Sequence, residues 1–350
     1  MGIKLGPIAM LGSGETSLAG GRIYEELAHK LEGPLQIALL ETPAGFELNS
    51  AQVVDRVGEF LKKRLQNYEP TIDAIPARKR GTPFSPDEPE FLHKLASANF
   101  IFMGPGSPTY AVRQLKGSLA WELVCARHRQ GAALVFASAA MVAVSKFALP
   151  VYEIYKVGED VHAVPGLDLF ADFGLKLSFI PHWNNTDGGE EVDTSRCFIG
   201  QERFKQWCDE LPDDQITLGL DEHTGLIFDF KEATCSVSGV SSATLQREDD
   251  PKIYPSGAVF PISELGEIKI SGNDPISTRA WERLQVVGGQ TGSPKPPAQV
   301  LALLEMRQQA RLHQEWRRSD ELRKQLAQMG WIVKDTPQGP QVEPCTGNRN

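Results

Sequence analysis

The stretch GAALVFASAAMVAVS, residues 131–145, passes from an apolar run into small residues and then into a helical pattern. ALVFAS at 133–138 is apolar on successive rather than alternate residues, which predicts a strand buried on both faces, as in a parallel sheet covered by helices. Five further runs share that texture: PIAML (7–11), QIALLE (36–41), FIFMG (100–104), LKLSFI (175–180) and ITLGL (216–220). Between them lie helical patterns such as 51–65, where Val53, Val54, Val57, Phe60 and Leu61 share one face. The alternation predicts an α/β fold, a doubly wound and mostly parallel sheet with flavodoxin-like layers. After Gly225 the texture changes to GLIFDF, ATCSVSG and GAVFPI separated by turns, which predicts a β-hairpin extension on the sheet edge.

The stretch VVGGQTGSPKPPAQV (286–300) is rich in Gly, Ser and Pro and predicts an irregular linker over 286–298 after a body spanning 1–285. Beyond it, Val300 to Trp316 and Ser319 to Met329 predict two helices within an appendage at 299–342. The second has Leu322, Leu326 and Met329 at core spacing and Ser319 as N-cap. Residues 343–350 are expected to be a disordered tail. The 350 residues carry 36 Lys and Arg against 45 Asp and Glu, a net charge of −9, which disfavours general attraction to nucleic acid or anionic lipid. Residues 297–335 run against that balance, with seven basic and five acidic side chains. Five scattered cysteines without a CxxC pair argue against a disulfide framework or a zinc site. The apolar run in MGIKLGPIAML is too short for a signal peptide and no stretch reaches membrane-span length, so a cytoplasmic protein is expected, with no membrane partner. No metal or cofactor motif is present, and a homodimer is one option for its assembly.

In an open α/β sheet, ligands bind beyond the C-terminal strand ends, which directs attention to the polar residues just after each apolar run. GSGET (12–16) follows the first strand, GPGSPT (104–109) follows FIFM, Ser138 closes ALVFA, His182 follows LKLSFIP and Glu222 follows ITLGLD. A serine, a histidine and a carboxylate therefore converge on one rim, in the chain order Ser138, His182, Glu222. A hydroxyl needs a base to become a nucleophile, and the base needs an orienting group, so these three residue types together point to acyl transfer. The backbone N–H groups of Ala139 and Gly106 are suited to stabilise an oxyanion, with Gly104 and Ser107 in the same loop. Adjacent residues of an extended segment face opposite ways, so Asp221 competes with Glu222 for the orienting role. Glu15 is a third acid near the rim, or a cap of the next helix. Cys125, within WELVCARH, reads as a buried helical residue. GSGET lacks the Gly-Lys-Ser/Thr ending of a phosphate loop.

Several of these stretches, in this order, resemble the family of aspartyl dipeptidase (peptidase E) and cyanophycinase, serine hydrolases on the class I glutamine amidotransferase-like fold. The resemblance spans about residues 5–245. It rests on GPIAMLGSGE, IFMGPGSPTYAVRQL, FASAAM, PHWN and GLDEHTGLIF. It implies Ser138 as nucleophile, His182 as base, Glu222 as acid, Gly106 with Ala139 as the oxyanion hole, and a small peptide or amide substrate. Phe136 and Ala140 stand where the family has glycines. A phenyl group at 136 is expected to crowd the turn at a cost of roughly 1–3 kcal/mol unless its neighbours have shrunk. HWNNTDGG lacks the arginines that follow the family's histidine. A body that has lost catalysis and serves as a binding or scaffold protein is therefore the alternative. Separately, residues 303–342 resemble the C-terminal segment of bacterial cysteinyl-tRNA synthetases, particularly in SDELRKQL and MGWIVKDTPQG. The synthetase signatures HIGH and KMSKS are absent. That resemblance implies docking to tRNA or protein, with Arg307, Arg311, Arg318 and Arg323 as contacts.

Overall fold

The computed structural model describes residues 4–247, 251–269, 276–290, 298–313, 315–329, 331–336 and 339–344. The chain divides into two compact units, Met1–Leu284 and Gln285–Asn350.

The first unit is built on an eight-stranded sheet. Five strands are mutually parallel: β1 (Ile8–Leu11), β2 (Gln36–Leu40), β3 (Thr71–Ile75), β4 (Phe100–Met103) and β5 (Ala133–Ala137), in the order β1-β5-β4-β2-β3. Every residue of β1, β4 and β5 is buried, as continuous apolar runs demand. One face is covered by α1 (Leu18–His29) and α2 (Ser50–Arg64), whose Ile23, Tyr24, Leu27, Val54, Val57 and Leu61 join a single core with Leu11, Leu39, Phe102 and Val135. Side chains on alternate strand positions point the other way, toward the elements that include α3 (Pro89–Ser97), α4 (Pro108–Leu115), α5 (Leu119–Arg129) and α6 (Ala139–Ala143).

One expectation about the sheet is corrected. β8 (Leu177–Ile180) and β9 (Ile216–Leu220) do not join the main sheet. They pair in parallel within a second, four-stranded sheet completed by β12 (Ser242–Gln246) and β13 (Lys252–Pro255). Trp183, Phe204 and Trp207, the latter two from α7 (Gly200–Asp209), share a separate core with Ile180. The expected hairpin extension is found on the sheet edge, where β10 (Thr224–Asp229) pairs antiparallel with β1, the end of the parallel set, followed by β11 (Thr234–Gly239) and β14 (Val259–Pro261). The sheet is therefore mixed. A two-residue ladder of β6 (Phe147–Ala148) with β7 (Val164–Pro165) sits between α6 and β8 in the chain.

The expected linker is corrected at both ends. Helix α8 (Thr278–Gln290) runs through Val286, Val287 and both following glycines, and α9 (Ala298–Leu312) begins at Ala298; residues 291–297 lie outside the described residues. The second unit comprises α9, α10 (Trp316–Gln328) and the hairpin β15 (Trp331–Thr336) with β16 (Gly339–Pro344), around a core of Val300, Leu326, Trp331 and Val333. Ser319 is not a cap, since α10 starts at Trp316. Ser319, Leu322 and Leu326 are all buried at i, i+3, i+7 spacing, so the serine lies on the core stripe. Of the expected disordered tail, residues 343–344 end β16 and 345–350 lie outside the described residues.

Candidate active site

Strand register brings the candidate residues together. Leu11 pairs with Ala137 and Met103 with Phe136, so Gly12, Gly104 and Ser138 leave the sheet side by side. The second sheet is tied to the same rim, as His182 N donates to Gly12 O at 3.2 Å and Trp183 N to Leu220 O at 3.0 Å.

Ser138 occupies φ 51°, ψ −115°, a strained region for a residue with a Cβ, at a cost of order 1–3 kcal/mol. Its hydroxyl caps nothing in α6. Instead Ser138 Oγ lies 3.1 Å from His182 Nε2, and His182 Nδ1 lies 2.8 Å from Glu222 Oε1. The chain Ser138–His182–Glu222 is therefore continuous. Phe136 does not break it: the ring is fully buried, 6.4 Å from the ring of Trp121 on α5, and α6 carries the small residues Ala139, Ala140 and Ala143 in the turn that follows. The crowding expected at 136 is relieved by directing the phenyl group into the core.

The adjacent acids divide their work. Asp221 is 5% exposed and its Oδ2 accepts from the hydroxyls of Ser241 and Ser242 and from Ser242 N, at 2.6, 2.7 and 3.1 Å. Glu222 faces His182 and also accepts from Asn185 Nδ2 at 3.0 Å, while its own N–H donates to Asn184 Oδ1 at 2.9 Å. Burial opposes ionisation of the Glu222 carboxyl, but the hydrogen bonds from Asn185 and His182 and the positive charge of the imidazole outweigh it, and its pKa lies below the ordinary value. Asn184 and Asn185 are the residues that sequence reasoning missed. Their only signal is their place directly after His182-Trp183.

On the other side of Ser138, Gly104 O accepts from Ala140 N at 3.3 Å, which fastens the GPGSPT loop to the elbow. Gly106 has φ 142°, and a Cβ there would lie 2.0 Å from Pro43 O, so only glycine fits. Among the described residues, the N–H groups of Gly106 and Ala139 donate to no other backbone or side-chain group. Ser107 Oγ accepts from Tyr110 N at 3.2 Å as the N-cap of α4 and meets Thr109 Oγ1 at 3.1 Å. Glu15 caps no helix, because Ser17 caps α1. Cys125 is partly buried in α5, where desolvation pushes its thiol above the usual range, and it takes no part in this rim.

A left-handed turn supports the histidine. Arg196, Cys197 and Phe198 have φ of 57°, 60° and 71°, at roughly 1–2 kcal/mol per residue. Cys197 N donates to His182 O and Arg196 N to Trp183 O, and the Phe198 ring lies 5.1 Å from the imidazole. A surface groove of about 650 Å³ lined by Phe204, Lys205, Asp209 and Gln215 includes none of the three aligned residues, so cavity size does not mark the chemistry here.

Of the arginines expected to touch RNA or a partner, Arg311, Arg318 and Arg323 are exposed, and Arg318 pairs with Glu315 at 3.3 Å. Arg307, expected to be a contact as well, is 2% exposed. Among the described residues, no helix is long and apolar enough to cross a membrane.

Comparison with known proteins separates the two units. A peptidase from an acI-B1 Actinobacterium superposes with a TM-score of 0.59 at 19% identity, covering 75% of this chain and 98% of that one. A putative peptidase E from Listeria monocytogenes EGD-e covers 72% of this chain and 99% of its own at 16% identity, with a TM-score of 0.42. The chain thus shares a fold with a known peptidase. Residues 293–342 match the cysteinyl-tRNA ligase anticodon binding domain. A cysteine–tRNA ligase from Methanosarcina mazei is 35% identical over 54 residues, 15% of this chain and 11% of that protein. One from Chlamydia abortus is 43% identical over 47 residues, 13% and 10% respectively. The chain spans about a tenth of the length of these curated relatives.

Proposed function

We propose that the first unit is a serine hydrolase that cleaves an amide bond in a small peptide substrate through an acyl-enzyme. The observation that carries this is the unbroken chain from Ser138 Oγ through His182 to Glu222, on a serine held in a strained turn with its hydroxyl free of any capping role. Ser138 Oγ attacks the carbonyl carbon while His182 Nε2 takes the hydroxyl proton. Glu222 holds Nδ1–H and stabilises the imidazolium that forms. The negative charge on the carbonyl oxygen is received by the N–H groups of Ala139 and Gly106, each such donor being worth roughly 100-fold or more in rate. As the C–N bond breaks, His182 returns its proton to the leaving amine. Water then attacks the acyl group with His182 as base, releasing the acid and restoring the Ser138 hydroxyl.

Incubation with small peptides in ¹⁸O-water tests this: the wild type should release an amine and an acid carrying one ¹⁸O, and Ser138→Ala should release neither. Product formation undiminished in Ser138→Ala would refute the assignment.

A second reading concerns the appendage alone, favoured by its match to an anticodon binding domain. In this reading Arg311, Arg318 and Arg323 bind tRNA phosphates and bring the hydrolase to RNA. Binding of tRNA by the full chain should weaken linearly in log salt; absence of tRNA binding at low salt refutes it.

A further inference from the structure

The face of His182 is covered by an aromatic residue that the hydrolytic chemistry does not require. Phe198 lies ring against ring with the imidazole, at 5.1 Å and tilted by 43°. It is held there at conformational cost, as the third of three consecutive left-handed residues whose backbone N–H groups are bonded to the carbonyls of His182, Trp183 and Thr194. Phe198 in turn stacks on Tyr155, at 5.8 Å and 28°. Tyr155 belongs to a π-helical turn, Glu153–Val157, a local irregularity frequent at functional sites. Phe198 is partly exposed and Tyr155 is 45% exposed, so the stack is open to solvent on one side.

The charged groups around this shelf have other engagements. Arg196 lies over the Trp183 ring at 3.9 Å and donates to Trp183 O, while Glu153 accepts from Thr109 at 2.6 Å. Lys156 rests over the rings of Tyr152 and Tyr155 at 5.6 and 5.8 Å. On this side the histidine is therefore bordered by aromatic surface, with the Lys156 ammonium over the Tyr155 ring and the Glu153 carboxylate, its Oε2 buried without a partner, in the same turn as Tyr155.

His182 is the group that protonates the departing amine, so whatever borders it borders the leaving-group side of the substrate. Resting on the hydrolase reading above, we infer that Phe198 and Tyr155 receive the side chain of the leaving-group residue, and that the substrates are small peptides with an apolar or aromatic residue on the amine side of the scissile bond. Stacking on a pre-formed aromatic pair buries the apolar area of such side chains, whereas a charged one gives up hydration there for no more than the exposed ammonium of Lys156 or a ring face.

The test uses the full chain and the dipeptides Ala-Phe, Ala-Leu, Ala-Ala, Ala-Asp and Ala-Lys, with fluorophosphonate labelling of Ser138 scored in parallel. Ala-Phe and Ala-Leu should be cleaved with a kcat/KM roughly tenfold above the other three. Tyr155→Ala, which leaves the His182 contacts alone, should bring the Phe-to-Ala preference down roughly fivefold, mainly through KM. Labelling of Ser138 together with equal or better cleavage of Ala-Asp or Ala-Lys overturns the inference alone. So does labelling with no cleavage of any of the five, or an unchanged Phe-to-Ala ratio in Tyr155→Ala. Absence of both labelling and cleavage overturns the hydrolase reading, and the inference with it.

Discussion

The two units preserve different things. The body shares its fold with a known peptidase at 19% identity, yet its Ser138, His182 and Glu222 stand in hydrogen-bonding order. The appendage keeps 35–43% identity to cysteine–tRNA ligases over some fifty residues, without the catalytic signatures HIGH and KMSKS elsewhere in the chain. Geometry at strand ends constrains a few residues and leaves the rest of a body free to change. A small unit with a core of four buried apolar side chains, Val300, Leu326, Trp331 and Val333, has less room for such drift. The proposed functions divide in the same way, hydrolysis in one unit and recognition in the other, and the comparison can be broken by perturbing each separately.

The largest expected effect is on Ser138. Ser138→Ala should lower peptide hydrolysis by about 10⁴-fold or more while leaving tRNA binding unchanged; a parallel loss of both would mean that the two units do not act separately. Next comes the pair of acids. Glu222→Gln should lower kcat by roughly 10³-fold or more with little change in melting temperature. Asp221→Asn should do the reverse, weakening a buried acceptor of three hydrogen bonds at roughly 1–3 kcal/mol of stability. If the two variants exchange phenotypes, the acid has been misassigned.

His128 gives the body a pH dependence of its own. Buried between Phe173 and Phe230, with Nε2 on Gly6 O at 2.8 Å, it is held neutral by desolvation, its pKa lowered to about 4. A histidine depressed in the folded state binds fewer protons there than when unfolded. The stability it contributes is therefore present above the ordinary value near 6.5 and is lost as pH falls from there toward 4. Urea unfolding of the first unit should lose stability over that window, and His128→Gln should flatten the slope; an unchanged slope contradicts the burial argument. The smallest effect concerns the appendage, where replacing Arg311, Arg318 and Arg323 by Gln should reduce the salt slope of tRNA binding by about 2–3 without altering hydrolysis.

Much of the body was legible because continuous apolar strands and the polar residues after them are local features. Ser138 and His182 could be proposed from position, whereas the choice of Glu222 over Asp221 rested on the family resemblance. The strand Thr71–Ile75 was not, since Thr71 and Asp73 interrupt its apolar pattern at the sheet edge. Nor was the separation of β8 and β9 into a second sheet, because an apolar strand carries no label for its partner. Asn185 could not be found either, as an amide reveals its role only once its acceptor is in place. Helix α8 passes through Gly288 and Gly289 against their low helix propensity, and Ser319 was mistaken for a cap because serine is common at both caps and tight helix contacts. In the opening stretch, FASAAM, the doubt raised by Phe136 was one of packing, and it is answered by a ring lodged against Trp121.

The most direct test is peptide mapping of the full chain after exposure to a fluorophosphonate. The geometry predicts one adduct, on Ser138, formed far more slowly in His182→Ala. No adduct, or an adduct on another serine with Ser138 unmodified, would contradict the assignment of Ser138 as the nucleophile.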